Sequence, residues 1–143
     1  MNADEQRAAE LADAFGRAAK SVVRAFDERL GDHGVSTPRS KLLAEIERLQ
    51  PVRLADLART VGVTQATAST LVEALVRDGL VVRSPDENDR RAVRLTTTAT
   101  GKRQARRWRA DYTAAAHELF RGFTPAEQIT FTELLDKLAD TLD

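Results

Sequence analysis

The chain has 143 residues, 42% apolar and 31% charged, which suits one well-packed domain and is too short for two large ones. It lacks cysteine, which excludes disulfides, thiolate metal sites and thiol-based redox sensing, and two histidines, His33 and His117, are too few for most metal sites. Net charge is zero, but Arg53–Arg109 holds twelve Lys/Arg against six Asp/Glu while the remainder holds ten against sixteen.

A basic middle between acidic ends is the footprint of one face suited to phosphate, with chance clustering as the bland alternative. No window approaches the roughly 18 consecutive apolar residues of a membrane span. Residues 1–20 carry charges throughout, without the basic-then-apolar order of a signal peptide, so a cytoplasmic protein with no membrane partner is expected.

In chain order, the first helix is predicted from about Glu5 to Leu30, with Leu11, Phe15, Ala18, Val22 and Phe26 on one apolar stripe. Gly31-Asp32-His33-Gly34 ends it. A second helix starts at Ser36-Thr37-Pro38, where a hydroxyl can cap and proline fits the first turn, and runs to about Leu49. Gln50-Pro51 stops it. Leu54–Val61 and Thr64–Asp78 are the third and fourth helices, joined by Gly62-Val63, and Gly79 supplies the C-terminal turn. Leu80–Ser84 and Ala92–Leu95 form a hairpin. A fifth helix follows from about Thr97 to Arg121. Thr124-Pro125-Ala126-Glu127 then reads as a capping box opening the last helix, whose Phe131, Leu135, Leu138 and Leu142 share a face.

Helix, turn, helix and hairpin in that order are the shape of a double-stranded DNA reader. The expected fold is mainly α: a winged helix-turn-helix at 35–96 with a two-stranded wing, and terminal helices at 1–34 and 97–143 forming a dimerisation region. The terminal helices either pack on each other within one chain or interleave with a second chain. The second arrangement is favoured because such readers usually work in pairs, about 34 Å apart in successive major grooves.

On the fourth helix, Ala68, Leu71, Val72 and Leu75 fall within one arc that must face the core. The opposite side presents Ala66, Ser69, Thr70 and Glu73, flanked by Gln65 and Thr67, with Thr64 as N-cap. Ordinary surface helices favour Lys and Glu, and Thr64–Thr70 has neither, which suits a helix lying deep in a major groove. Gln65 suits adenine, Ser69 and Thr70 suit several bases, and Ala66 or the Thr67 methyl can meet a thymine methyl. At the hairpin tip, Asp86-Glu87-Asn88-Asp89-Arg90-Arg91 reads by default as a solvated turn. Against that default, Arg90 and Arg91 can reach a minor groove, with Asp89 pairing with Arg91 as a brace.

These residues carry a resemblance. The segment LADLARTVGVTQATASTLVEALVRDGLVVRS (Leu54 to Ser84) and the wing pattern DRRAVRLT (Asp89 to Thr96) are similar to those of the MarR family of winged-helix regulators. The resemblance implies a homodimer on a pseudo-palindromic site, usually repressing transcription. It also implies Arg91 as the minor-groove residue, Asp89 as its brace, and a pocket for small aromatic or phenolic ligands between the dimerisation helices and the reader.

Two departures stand out. Where the family often has arginine, this chain has Thr70 and Ala74, so phosphate affinity must come more from elsewhere: the wing, Arg53, Arg59, or Lys102, Arg103, Arg106 and Arg107, the last four of which equally suit a solvated helix face. A shallow salt dependence of binding is therefore expected. Arg39-Ser40-Lys41 stands where the family commonly has glutamine and a bulky side chain, which leaves the pocket less defined.

His33, Arg39, Trp108 and Tyr112 are the candidates for contact with a small-molecule effector, although Trp108 and Tyr112, one turn apart, equally suit packing. No metal and no cofactor are expected. The sequence has no Ser/His/Asp set and no glycine-rich phosphate loop, which argues against an enzyme. The remaining alternative is a winged helix that binds protein without DNA. It would show an apolar or acidic recognition face and no basic wing.

Overall fold

A computed structural model describes residues 1–31 and 37–142. It contains the helices α1 (Ala3–Leu30), α2 (Thr37–Leu49), α3 (Leu54–Val61), α4 (Gln65–Arg77), α5 (Ala99–Leu119) and α6 (Pro125–Leu142). The strands are β1 (Val52–Arg53), β2 (Val81–Pro85) and β3 (Val93–Thr97). The mainly helical winged-helix fold expected from the sequence is the fold observed. Among the described residues, no helix is long and apolar enough to cross a membrane.

The chain divides into two compact units, one built from Met1–Ala25 with the segment after Tyr112, the other from Phe26 to Tyr112. The second unit holds the helix-turn-helix and wing. Its core is formed by Leu42, Leu43, Ile46, Leu57, Val72, Leu75, Leu80, Val81 and Leu95, all buried. Ala68, Val72 and Leu75 of α4 point inward as their spacing requires, with Leu71 partly buried beside them. Gly62 closes α3 at φ 79°, and its amide and that of Val63 both donate to the Ala58 carbonyl. An L side chain is strained in that left-handed turn, so glycine fixes the angle between α3 and α4.

The sheet has one strand more than the hairpin. The two-residue β1 pairs antiparallel with β3, Val52 opposite Leu95 and Arg53 opposite Arg94, giving the order β1-β3-β2. A strand of two residues is too short to show periodicity, so only tertiary pairing reveals it. In β2 and β3, Val81 pairs with Thr97 and Pro85 with Val93. The ladder therefore continues through Thr97, and α5 begins at Ala99 rather than at Thr97. Thr98 makes that boundary: its hydroxyl accepts the Gly101 amide at 3.0 Å and donates to the Gly79 carbonyl at 2.7 Å.

Residues 99–112 and Phe26–Leu30 belong to the same compact unit as the reader. The reason is a second cluster in which Leu30 and Trp108 bury themselves on Ala44 of α2, with Phe26 and Tyr112 alongside.

In the first unit, α6 opens with the expected capping box. Thr124 Oγ1 accepts the Glu127 amide at 3.1 Å, and the Glu127 carboxylate accepts the Thr124 amide at 2.9 Å. The α1 start uses the same device, Asn2 Oδ1 accepting the Glu5 amide at 2.8 Å, which moves the helix start to Ala3. Phe120, Phe123 and Phe131 pack edge to face at the α5–α6 corner around a cavity of about 350 Å³. Yet α6 has no buried residue, and the N-terminal part of the α1 stripe is exposed, Leu11 at 70% and Phe15 at 47%.

Candidate nucleic-acid interface

The reading face is set by the way α4 begins. Thr64 is extended, and its hydroxyl accepts the Thr67 amide at 3.1 Å while lying 2.9 Å from the Thr67 hydroxyl. This cap satisfies one of the free amides of the first turn. It leaves Gln65, Ala66, Thr67 and Thr70 exposed and Ser69 half-buried on the outward side. The Thr70 hydroxyl lies 3.1 Å from the Ala66 carbonyl and donates to it. Thr64, Gln65, Ala66, Thr67, Ser69 and Thr70 thus share one end and one side of α4, and the side chains there are uncharged.

The wing tip is an ordered turn. Asp89 Oδ1 accepts the Arg91 amide at 3.0 Å, and the Asp89 carbonyl accepts the Ala92 amide at 3.0 Å. The sequence led us to expect a carboxylate–guanidinium pair between Asp89 and Arg91; the bond formed is to the backbone instead. A carboxylate two residues before an amide closes an Asx turn more easily than it reaches its neighbour's long side chain. Both guanidinium groups remain exposed, those of Arg90 and Arg91.

Asp86 is the residue that sequence reasoning misplaced. Read as part of a solvated tip, it is buried, with its side chain wholly covered. Its Oδ1 accepts the Asn88 amide at 2.8 Å, and its Oδ2 lies 2.7 Å from Arg53 Nε and 3.2 Å from Arg94 Nε. These contacts, the Asn88 amide first, outweigh the cost of burial and hold the carboxyl down at about 2. Arg53 is raised in turn by Asp86, so it is paired rather than wholly free for phosphate. The only sequence signal was the acid-rich tip itself; its partner Arg53 lies 33 residues away.

The other basic candidates differ in their surroundings. Arg59 lies 3.5 Å from Asp56, and Arg106 lies 3.7 Å from Glu47. Lys102, Arg103 and Arg107 are exposed on α5.

Of the effector candidates, Trp108 and Tyr112 stack with ring centroids 4.9 Å apart, and Phe26 stacks on Tyr112 at the same distance. Arg109 lies over the Tyr112 ring at 5.6 Å. The Trp108 indole nitrogen is buried with no hydrogen-bond partner among the described residues. Arg39, on α2, pairs with Asp78 at the end of α4, and its buried Nε has no hydrogen-bond partner among the described residues. His33 lies outside the described residues.

A helix-turn-helix whose second helix opens with a polar, uncharged end, followed by a hairpin tipped by two arginines, defines a winged helix-turn-helix protein. Residues 35–93 match the model of the MarR family. Over that segment the chain is similar to the MarR family of winged-helix transcriptional regulators, and the relatives it matches are transcriptional regulators rather than enzymes. It is 27% identical to the HTH-type transcriptional regulator YwhA of Bacillus subtilis (strain 168), over 97% of this chain and 99% of that one. It is 25% identical to the transcriptional repressor YetL of the same organism, over 86% and 75%. Among solved structures, BpsR of Bordetella bronchiseptica matches with a TM-score of 0.83 and 25% identity, over 90% of this chain and 92% of that one. That structure was determined for the regulation of BpsR DNA binding by 6-hydroxynicotinic acid.

Proposed function

We propose that the chain is a repressor that binds a pseudo-palindromic operator as a homodimer and is released by a small aromatic ligand. The observation that carries this reading is the exposed, uncharged end of α4 together with an ordered wing tip on which two arginines are exposed. Thr64, Gln65, Ala66, Thr67, Ser69 and Thr70 meet base edges in the major groove; Arg90 and Arg91 reach the minor groove, where the narrow walls concentrate negative potential. Asp89 sets the direction of Arg91 through its backbone.

Residues 35–96 act as reader, and 1–34 with 97–143 as the pairing region. Leu11, Phe15, Phe131, Leu134, Leu135 and Leu138 are all exposed, and an apolar surface of this extent calls for a covering partner. A second copy supplies the same surface and closes with two-fold symmetry.

The repressor role is supported by the name of YetL. Release by a ligand is supported by BpsR and by the unsatisfied Trp108 indole N–H among stacked rings, a donor suited to an aromatic acid or amide. Such a ligand acts by favouring a reader spacing that mismatches the grooves.

Selection of bound duplexes from a randomised library, at about 0.15 M salt near physiological ionic strength, tests the reading with wild type and Arg91→Ala side by side. An inverted repeat with centres about one helical turn apart, relaxed by Arg91→Ala, is the expected result. No enrichment at any salt would instead make the chain a protein-binding winged helix.

A further inference from the structure

Arg53 and Arg94 sit opposite each other across the β1–β3 ladder, with the covered Asp86 carboxylate between them. Both contacts to Asp86 use the Nε atoms. Among the described residues, the terminal amino groups of the two guanidiniums have no hydrogen-bond partner, and the side chains are 44% and 29% exposed. Asp56 and Asp89 act on Arg53 only at longer range. Two cations held by one buried anion leave a net positive charge whose donors are already aimed. Side chains fixed in this way lose less freedom on binding than solvated arginines do.

We propose that Arg53 and Arg94 form a clamp for one backbone phosphate of duplex DNA, with Asp86 as the positioning residue that holds them side by side. This rests on the DNA-binding reading above. The guanidinium fork matches the oxygens of a phosphodiester. The location also fits. Arg94, in β3, follows Arg91 of the turn by three residues, a span of at most about 10 Å at roughly 3.3–3.6 Å per fully extended residue. A minor groove is about 7.5 Å deep, so a tip on its floor puts the clamp level with the phosphate rim.

The test is affinity against salt for wild type, the double variant Arg53→Gln/Arg94→Gln, Asp86→Asn and Arg94→Lys, on the selected duplex and on a scrambled one. Each phosphate contributes about 0.9 to the logarithmic slope, so the double variant flattens the slope of a dimer by about 1.8. Its affinity gap to wild type then narrows about tenfold between roughly 50 and 200 mM salt, equally on both duplexes. Arg94→Lys keeps the charge and holds the wild-type slope. Asp86→Asn also keeps the slope, while preference for the selected duplex falls because the tip is no longer held.

An unchanged slope in the double variant would overturn the clamp and leave the arginines as braces for the wing; a flattened slope in Arg94→Lys would overturn it too. If the wild type enriches no duplex, the DNA-binding reading fails first and the clamp with it.

Discussion

Replacing Gly101 by alanine tests how the reader is fastened to α5. Gly101 lies in the first turn of α5, where its amide donates to the Thr98 hydroxyl. A Cβ at this position falls 2.0 Å from the Leu80 carbonyl oxygen and 2.9 Å from its carbon. The obstacle is backbone, held in turn because that same carbonyl accepts the Thr98 amide at 3.1 Å. The residues on either side therefore have to shift by about an ångström, and overpacking of this kind costs about 1–3 kcal/mol. Against it stands the helix propensity of alanine over glycine, about 1 kcal/mol at most in a helix interior and less in a first turn. With contact to rigid backbone placing the clash at the upper end, the net loss is about 2 kcal/mol. Urea unfolding followed by circular dichroism, at equal protein concentration because association shifts the midpoint, measures it. A variant as stable as wild type would refute the argument.

Two further outcomes follow from the same region. Asp86 titrates at about 2 in the folded chain against an ordinary 3.8, so its stabilising contribution is complete above about pH 4 and is lost as the pH falls toward 2. The melting-temperature gap between wild type and Asp86→Asn should narrow across that window, and a gap that stays constant counts against the buried contacts. Thr98→Ala removes both the cap of α5 and the bond to the Gly79 carbonyl, and a loss of about 0.5–2 kcal/mol is expected in the same urea assay.

Features fixed by a few neighbouring residues were legible in the sequence. The α4 core arc needed only helical spacing, and the Thr124–Glu127 box needed only two residues three apart. The wing arginines were legible because a hairpin of this length has its tip in solvent. What could not be read depends on chain segments that meet only after folding. The strand β1 exists because Val52 and Arg53 find β3, not because two residues prefer extended backbone. Asp86 looks like its neighbours Glu87 and Asp89 until Arg53 is brought to it, and nothing in TTATGK distinguishes Gly101 from a helix-weakening residue until Leu80 is in place. Trp108 and Tyr112 suited either a ligand or packing on spacing alone, and the structure shows them packed with Phe26 and Leu30.

The bond from the Thr70 hydroxyl to the Ala66 carbonyl decides what that residue can say to another molecule. With its proton committed inside the helix, Thr70 turns outward only oxygen lone pairs and a methyl group. A side chain that in isolation is both giver and taker becomes a taker alone. It can therefore discriminate between the amino groups of adenine or cytosine and the carbonyl groups of guanine or thymine. Arginine at this position would have the opposite preference. On the proposed reading, the uncharged residue here thus changes the sense of the question asked of the base pair and is not merely a weaker contact.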